Sequence, residues 1–133
     1  MLKTYHGSCH CKAVRFEADI DLARGTIRCN CSICAKARYW PARVPASAFR
    51  LLAGGEALTD YRFGPCTDSH PFCRHCGIRA FGYGKSLKIG DFVGINLCTL
   101  DDASDAELAA APVTWVNGRD DIWDAPPAET RHL

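Results

Sequence analysis

Phe72-Cys73-Arg74-His75-Cys76-Gly77 decides how this chain must fold. Two cysteines, two residues apart and followed by glycine, form a knuckle. The glycine eases a tight turn whose backbone N–H groups can point at sulfur. Its partner lies far upstream in Cys9-His10-Cys11, where an extended chain projects both thiols to one face. The two pairs together offer four thiolates, the usual structural zinc set. Such a clamp joins the start of the chain to its middle. In small zinc peptides it is worth about 10–16 kcal/mol, which rivals the stability of a whole domain. His10 and His75 sit inside the pairs but are expected to point away, since four thiolates already fill the coordination sphere. A redox role for Cys73 and Cys76 alone is the rival reading. It lacks the βαβ surroundings of a thioredoxin-type site.

Nine cysteines in 133 residues is the outlying feature of the composition. Seven fall into three tight groups, the third being Cys29, Cys31 and Cys34. Clustered thiols of odd number, with no export signal at the N-terminus, read as metal ligands of a soluble cytoplasmic protein rather than as disulfides. The apolar fraction of 47% and charged fraction of 23% are those of an ordinary globular chain. Net charge is 16 − 15 = +1, which gives no reason to expect nucleic acid or an anionic membrane as partner.

The apolar pattern between the clusters is mostly of period two. Val14, Phe16 and Ala18 alternate with Arg15 and Glu17, as on a half-buried strand. Thr26 to Cys29 reads as a short strand into the second cluster. Arg50 to Leu52, a Gly54-Gly55 turn, and Leu58, Tyr61 and Phe63 read as an irregular hairpin. Phe92 to Cys98 is the best buried strand, with Cys98 as a core thiol, and Val113 to Val116 is the last strand. Only Ser104 to Ala110 reads as helix, with Ser104 and Glu107 in a capping-box pattern and Pro112 as a stop. The expectation is a single, mainly β domain over 1–133, with its core at about 5–116 and a surface arm from 117 to 133.

Cys29-Asn30-Cys31-Ser32-Ile33-Cys34 puts three thiols in six residues. A strand end presents Cys29 and Cys31, and a turn brings Cys34 around. Three local thiolates can hold zinc and leave one tetrahedral position open, which is the mark of a catalytic rather than a structural site. With three thiolates the site carries net negative charge, so thiol chemistry suits it better than water activation. Two alternatives stay open. A fourth protein ligand (Cys66 first, then His70 or His6) would close the site, or the thiols are metal-free and two of them form a reversible disulfide.

The three ordered motifs, with Gly7-Ser8 before the first and Phe72 and Gly77 around the last, resemble the glutathione-dependent formaldehyde-activating enzyme family, which includes centromere-protein-V-like domains. The resemblance runs from about Tyr5 to Trp115. It implies an Mss4-like fold of several short, coiled antiparallel sheets clamped by zinc, with little helix. It also implies a structural zinc on Cys9, Cys11, Cys73 and Cys76, and a second zinc on Cys29, Cys31 and Cys34, near which glutathione binds. The implied activity joins glutathione to formaldehyde, formally a carbon–sulfur lyase run in reverse. A thiol near the second site would attack a small aldehyde, with Ser32, Lys36, Arg38 or Tyr39 as proton donors and Arg38, Tyr39 and Arg43 as contacts for the cosubstrate. Trp40-Pro41 would wall the pocket or pack into the core. Two readings from other classes stand beside this: a zinc-stabilised binding module, and a thiol redox or metal-handling protein.

Overall fold

The computed structural model describes residues 1–133. The chain forms ten short strands, two short α-helices and several single helical turns. Strands β1 (Lys3–Ser8), β2 (Arg15–Ile20) and β5 (Phe49–Ala53) make one antiparallel sheet in the order β1-β2-β5. Strands β4 (Pro41–Pro45), β9 (Gly90–Asn96) and β8 (Phe81–Ser86) make a second, with β9 in the middle. Strands β3 (Thr26–Cys29) and β10 (Val113–Val116) pair alone, as do β6 (Leu58–Tyr61) and β7 (His70–Cys73). The mainly β architecture of several small sheets is therefore the one expected. No helix is long and apolar enough to cross a membrane.

The period-two pattern is what buries the core. Phe16, Ala18 and Ile20 are all buried on one face of β2, with Val14 buried just before it, as alternation requires. From the other sheet Phe81, Val93 and Ile95 meet them. Phe16 packs edge-on to Phe81 at 5.7 Å between centroids, and Phe49 lies 5.8 Å from Phe16. Helix α2 (Asp105–Ala110) begins with the expected capping box: Ser104 Oγ accepts from the Glu107 N–H, and a Glu107 carboxylate oxygen accepts from the Ser104 N–H.

Four expectations change. First, Arg50–Phe63 is not a hairpin. β5 pairs with β2 and β6 with β7, so the Gly54-Gly55 turn separates two sheets. Pairing with the core strand on one side and with the cysteine-bearing strand on the other outweighs local strand–strand contact. Second, β10 runs parallel to β3, with Val116 opposite Cys29. A parallel pair needs a long connection, and here most of the chain supplies it. Third, a second helix, α1 (Ser32–Ala37), starts within the three-cysteine motif. Fourth, Cys98 is exposed. It sits in the middle of the turn Leu97–Thr99, where strand alternation has ended. Leu97 and Thr99 take the two buried positions.

Candidate functional site

The first cluster assembles as its spacing implies. The sulfur atoms of Cys9, Cys11, Cys73 and Cys76 all lie within 4.8 Å of one another. Cys9 Sγ is 3.7 Å from Cys11 Sγ, and Cys11 Sγ is 3.6 Å from Cys73 Sγ. Zinc–sulfur bonds of about 2.3 Å in a tetrahedron give sulfur–sulfur edges of about 3.8 Å, so the four thiols fit that ion. Two tight turns hold them. Lys12 donates its N–H to the Cys9 carbonyl at 3.0 Å, and Gly77, at φ +77°, donates to the Cys73 carbonyl at 2.7 Å. The Val14 N–H also reaches Cys9 Sγ at 3.3 Å. Cys9 and Cys73 are buried in the core. His10 and His75 are exposed and lie outside the cluster.

The second cluster grows from the junction of β3 and α1. Cys29 ends the strand, Cys31 caps the helix, and Cys34 lies three residues on, which is the same face of a helix. Their three sulfurs also lie within 4.8 Å of one another, and no other Cys, His, Asp or Glu ligand atom joins them. The Cys31 N–H points at Cys29 Sγ at 3.3 Å. Cys31 is the thiol held below its ordinary pKa. The Cys29 and Cys34 thiols act first, and the backbone N–H groups of Cys34 and Ile33 add to them. Cys34 is pushed up by the same neighbours, because it keeps its proton to share with them. Three thiols gathered this closely suit a thiolate-loving cation such as Zn²⁺.

Asn30, between the first two cysteines, ties the C-terminal segment onto the cluster. Its Nδ2 donates to Asn117 Oδ1 at 2.9 Å, and its Oδ1 accepts from the Arg119 N–H at 3.0 Å. Asn30 and Asn117 are both buried. The chain beyond Val116 thus begins by closing on the thiols. From Asp124 it is mostly exposed.

The three thiols face a cavity of about 430 Å³. Its walls are largely aromatic: Tyr39, Phe63, Tyr83, Phe92 and Trp123. Its polar groups are Ser32, Asp68, His70, Arg43, Arg79 and Arg119. His70 is buried, and its Nδ1 lies 2.9 Å from the Tyr61 carbonyl. A carbonyl only accepts, so Nδ1 is the donor in this contact. The buried Tyr39 hydroxyl donates to the Gly94 carbonyl, and burial pushes its pKa up. The Arg43 guanidinium lies 4.7 Å over Phe92, and that of Arg79 lies 3.9 Å over Tyr39. A wider surface groove of about 840 Å³ beside Leu2, Ile20 and Ile89 contains no thiol or histidine. Its size alone gives it no chemistry.

Of the residues singled out from sequence, Ser32, Tyr39, Pro41, Arg43 and His70 reach the cavity with the three cysteines. Trp40 packs against the core instead, and its indole N–H donates to Thr26 Oγ1 at 2.8 Å. Lys36 and Arg38 are exposed and do not line the cavity; Arg38 closes α1 in the left-handed conformation. Cys66 is exposed, with its thiol against the Gly64 carbonyl, and His6 is paired with Asp102 at 2.9 Å. Neither approaches the thiol cluster. Arg79, Asp68, Gly118 and Trp123 were not anticipated. For Arg79 a signal existed: it is a lone charge among Ile78, Ala80 and Phe81.

Comparison with known proteins places the chain in a family. A family model described as "Glutathione-dependent formaldehyde-activating enzyme" matches residues 4–118. The chain is also similar to a crystal structure of a Rhodobacter sphaeroides protein. The TM-score is 0.69 at 33% identity, over 82% of this chain and 99% of that one.

Proposed function

We propose a function from one premise: the chain belongs to the glutathione-dependent formaldehyde-activating enzyme family. It adds a thiol, glutathione or a close analogue, to a small aldehyde such as formaldehyde, which is a carbon–sulfur lyase reaction in the direction of synthesis. The observation that carries this reading is the cavity onto which Cys29, Cys31 and Cys34 open. In this reading Cys9, Cys11, Cys73 and Cys76 hold a structural zinc, and Cys29, Cys31 and Cys34 hold a second. Zinc at the second position supplies a positive centre that favours the deprotonated form of an incoming thiol.

The chain's own residues do the rest. The aromatic walls exclude water and hold both reactants together, and because thiols already react with formaldehyde unaided, proximity supplies much of the modest gain required. Sulfur attacks the carbonyl carbon, a C–S bond forms, the C=O π bond breaks, and the oxygen takes a proton. His70 Nε2 accepts the thiol proton and returns it to the new hydroxyl, so the sum is RSH plus CH2O giving RSCH2OH. The Tyr39 hydroxyl is committed to Gly94 and serves as wall. Tyr39 and Arg43 contact the cosubstrate, whereas Arg38 stands outside the cavity.

The test is exchange between ¹³C-formaldehyde and glutathione, followed by NMR on zinc-loaded protein. Acceleration by the native chain, lost in Cys31→Ser and reduced in His70→Asn, is the expected result. A native chain with two zincs and no acceleration rejects the proposal. A cavity at the three-thiol site supports an enzyme over a binding module, which needs no such enclosure.

A further inference from the structure

We propose that Arg79 anchors a carboxylate subsite in this cavity, so that the thiol accepted there is an anionic, carboxylate-bearing one. The proposal deepens the reading of the cavity as a thiol site and rests on it. Arg79 follows the Cys73–Gly77 turn and immediately precedes buried Ala80 and Phe81. It therefore carries its charge inward. Its guanidinium lies 3.9 Å over the Tyr39 ring, a contact the ring's negative face favours. Its Nε and Nη1 are buried and have no acceptor. None of the chain's ion pairs includes it. Asp68 lines the same cavity without pairing to it.

A guanidinium cannot shed its proton, so its buried donors stay costly until an anion arrives. The Nη1 and Nη2 groups at the end of the rigid guanidinium plane match the two oxygens of a carboxylate. Its position is closely set: a Cβ on Gly82 would stand 2.6 Å from Nη2. Tyr39 joins this point to the thiols. Its N–H donates to the Cys34 carbonyl at 3.2 Å, while its ring lies under Arg79. The sulfur and carboxylate ends of one ligand are thus held around a single residue. Arg43, exposed over Phe92, adds a second positive charge at the cavity.

The test is binding of S-methylglutathione, which has carboxylates and no free thiol, against its dimethyl ester, by calorimetry on the zinc-loaded chain. The native chain is expected to prefer the acid by about tenfold or more, as for a charge-assisted hydrogen-bonded pair. Arg79→Met, with zinc content unchanged, should bind acid and ester alike. Arg79→Lys, which keeps the charge but not the fork, should fall between. Equal binding of acid and ester by the native chain needs no variant and overturns the proposal. So does an undiminished preference in Arg79→Met, or no binding of either compound. Glutathione–formaldehyde exchange, measured separately on the native chain, reports on the proposed reaction and not on this subsite.

Discussion

Gly118 lies so close to Cys29 that a β-carbon on it would stand 2.6 Å from the Cys29 sulfur. The same atom would be 2.8 Å from the Trp123 ring and 3.1 Å from Cys31 Cβ. Gly118, two residues past the last strand, therefore works as a spacer beside the second cluster. Gly118→Ala is expected to displace Cys29 and weaken zinc binding there by about tenfold, an overpacking effect. Gly55→Ala is the control, because its Cβ would meet only Leu51 Cδ2 at 3.5 Å. Competition with a chromogenic chelator measures both, and equal affinities in the two variants would refute the spacer role.

The two clusters should separate by mutation. Cys73→Ser opens a four-thiol site at a fully buried position and is expected to destabilise the chain by several kcal/mol, or about the whole stability of a small domain. Cys31→Ser sits where only three thiols meet a cavity and should remove one zinc per chain while the far-ultraviolet dichroism stays native. Elemental analysis with thermal melts distinguishes them. Matching losses of stability would show that the second cluster is structural as well.

Glu107 gives the fold a defined acid sensitivity. Its carboxyl is held down at about 2, first by Lys3 Nζ and then by the Ser104 N–H and the Tyr5 hydroxyl. The folded pKa is below the ordinary value of 4.5, so the stabilisation is complete above that value and is lost as pH falls through about 2. Glu107→Gln should therefore lower the melting temperature at neutral pH, and its gap to the native chain should close between those two values. A gap independent of pH over that window would contradict the role.

Phe16 is fully buried between Phe49 and Phe81. Phe16→Ala should cost about 3–5 kcal/mol, the usual range for deleting a core aromatic. Urea denaturation reads this directly. A cost below about 1 kcal/mol would mean the two main sheets do not depend on this contact.

Much of this protein is legible in its residues. The four-thiol cluster, the three-thiol cluster, the period-two core of Val14, Phe16 and Ala18, and the capping box at Ser104 all follow from spacing, because ligand geometry and strand alternation are local rules. Tertiary structure decided the rest. Leu58 pairs with Cys73 rather than with its own neighbour across Gly54-Gly55, since pairing depends on which strand the core presents. Cys98 turns outward because the strand ends at Asn96, two residues earlier than its apolar run suggests. Arg79, His70 and Trp123 meet Cys29, Cys31 and Cys34 around one cavity although they are distant in sequence. Local chemistry named the two thiol clusters. Only long-range packing could bring a half-buried cation, a histidine and five aromatic walls to face them, because no single-segment pattern encodes which surfaces become neighbours.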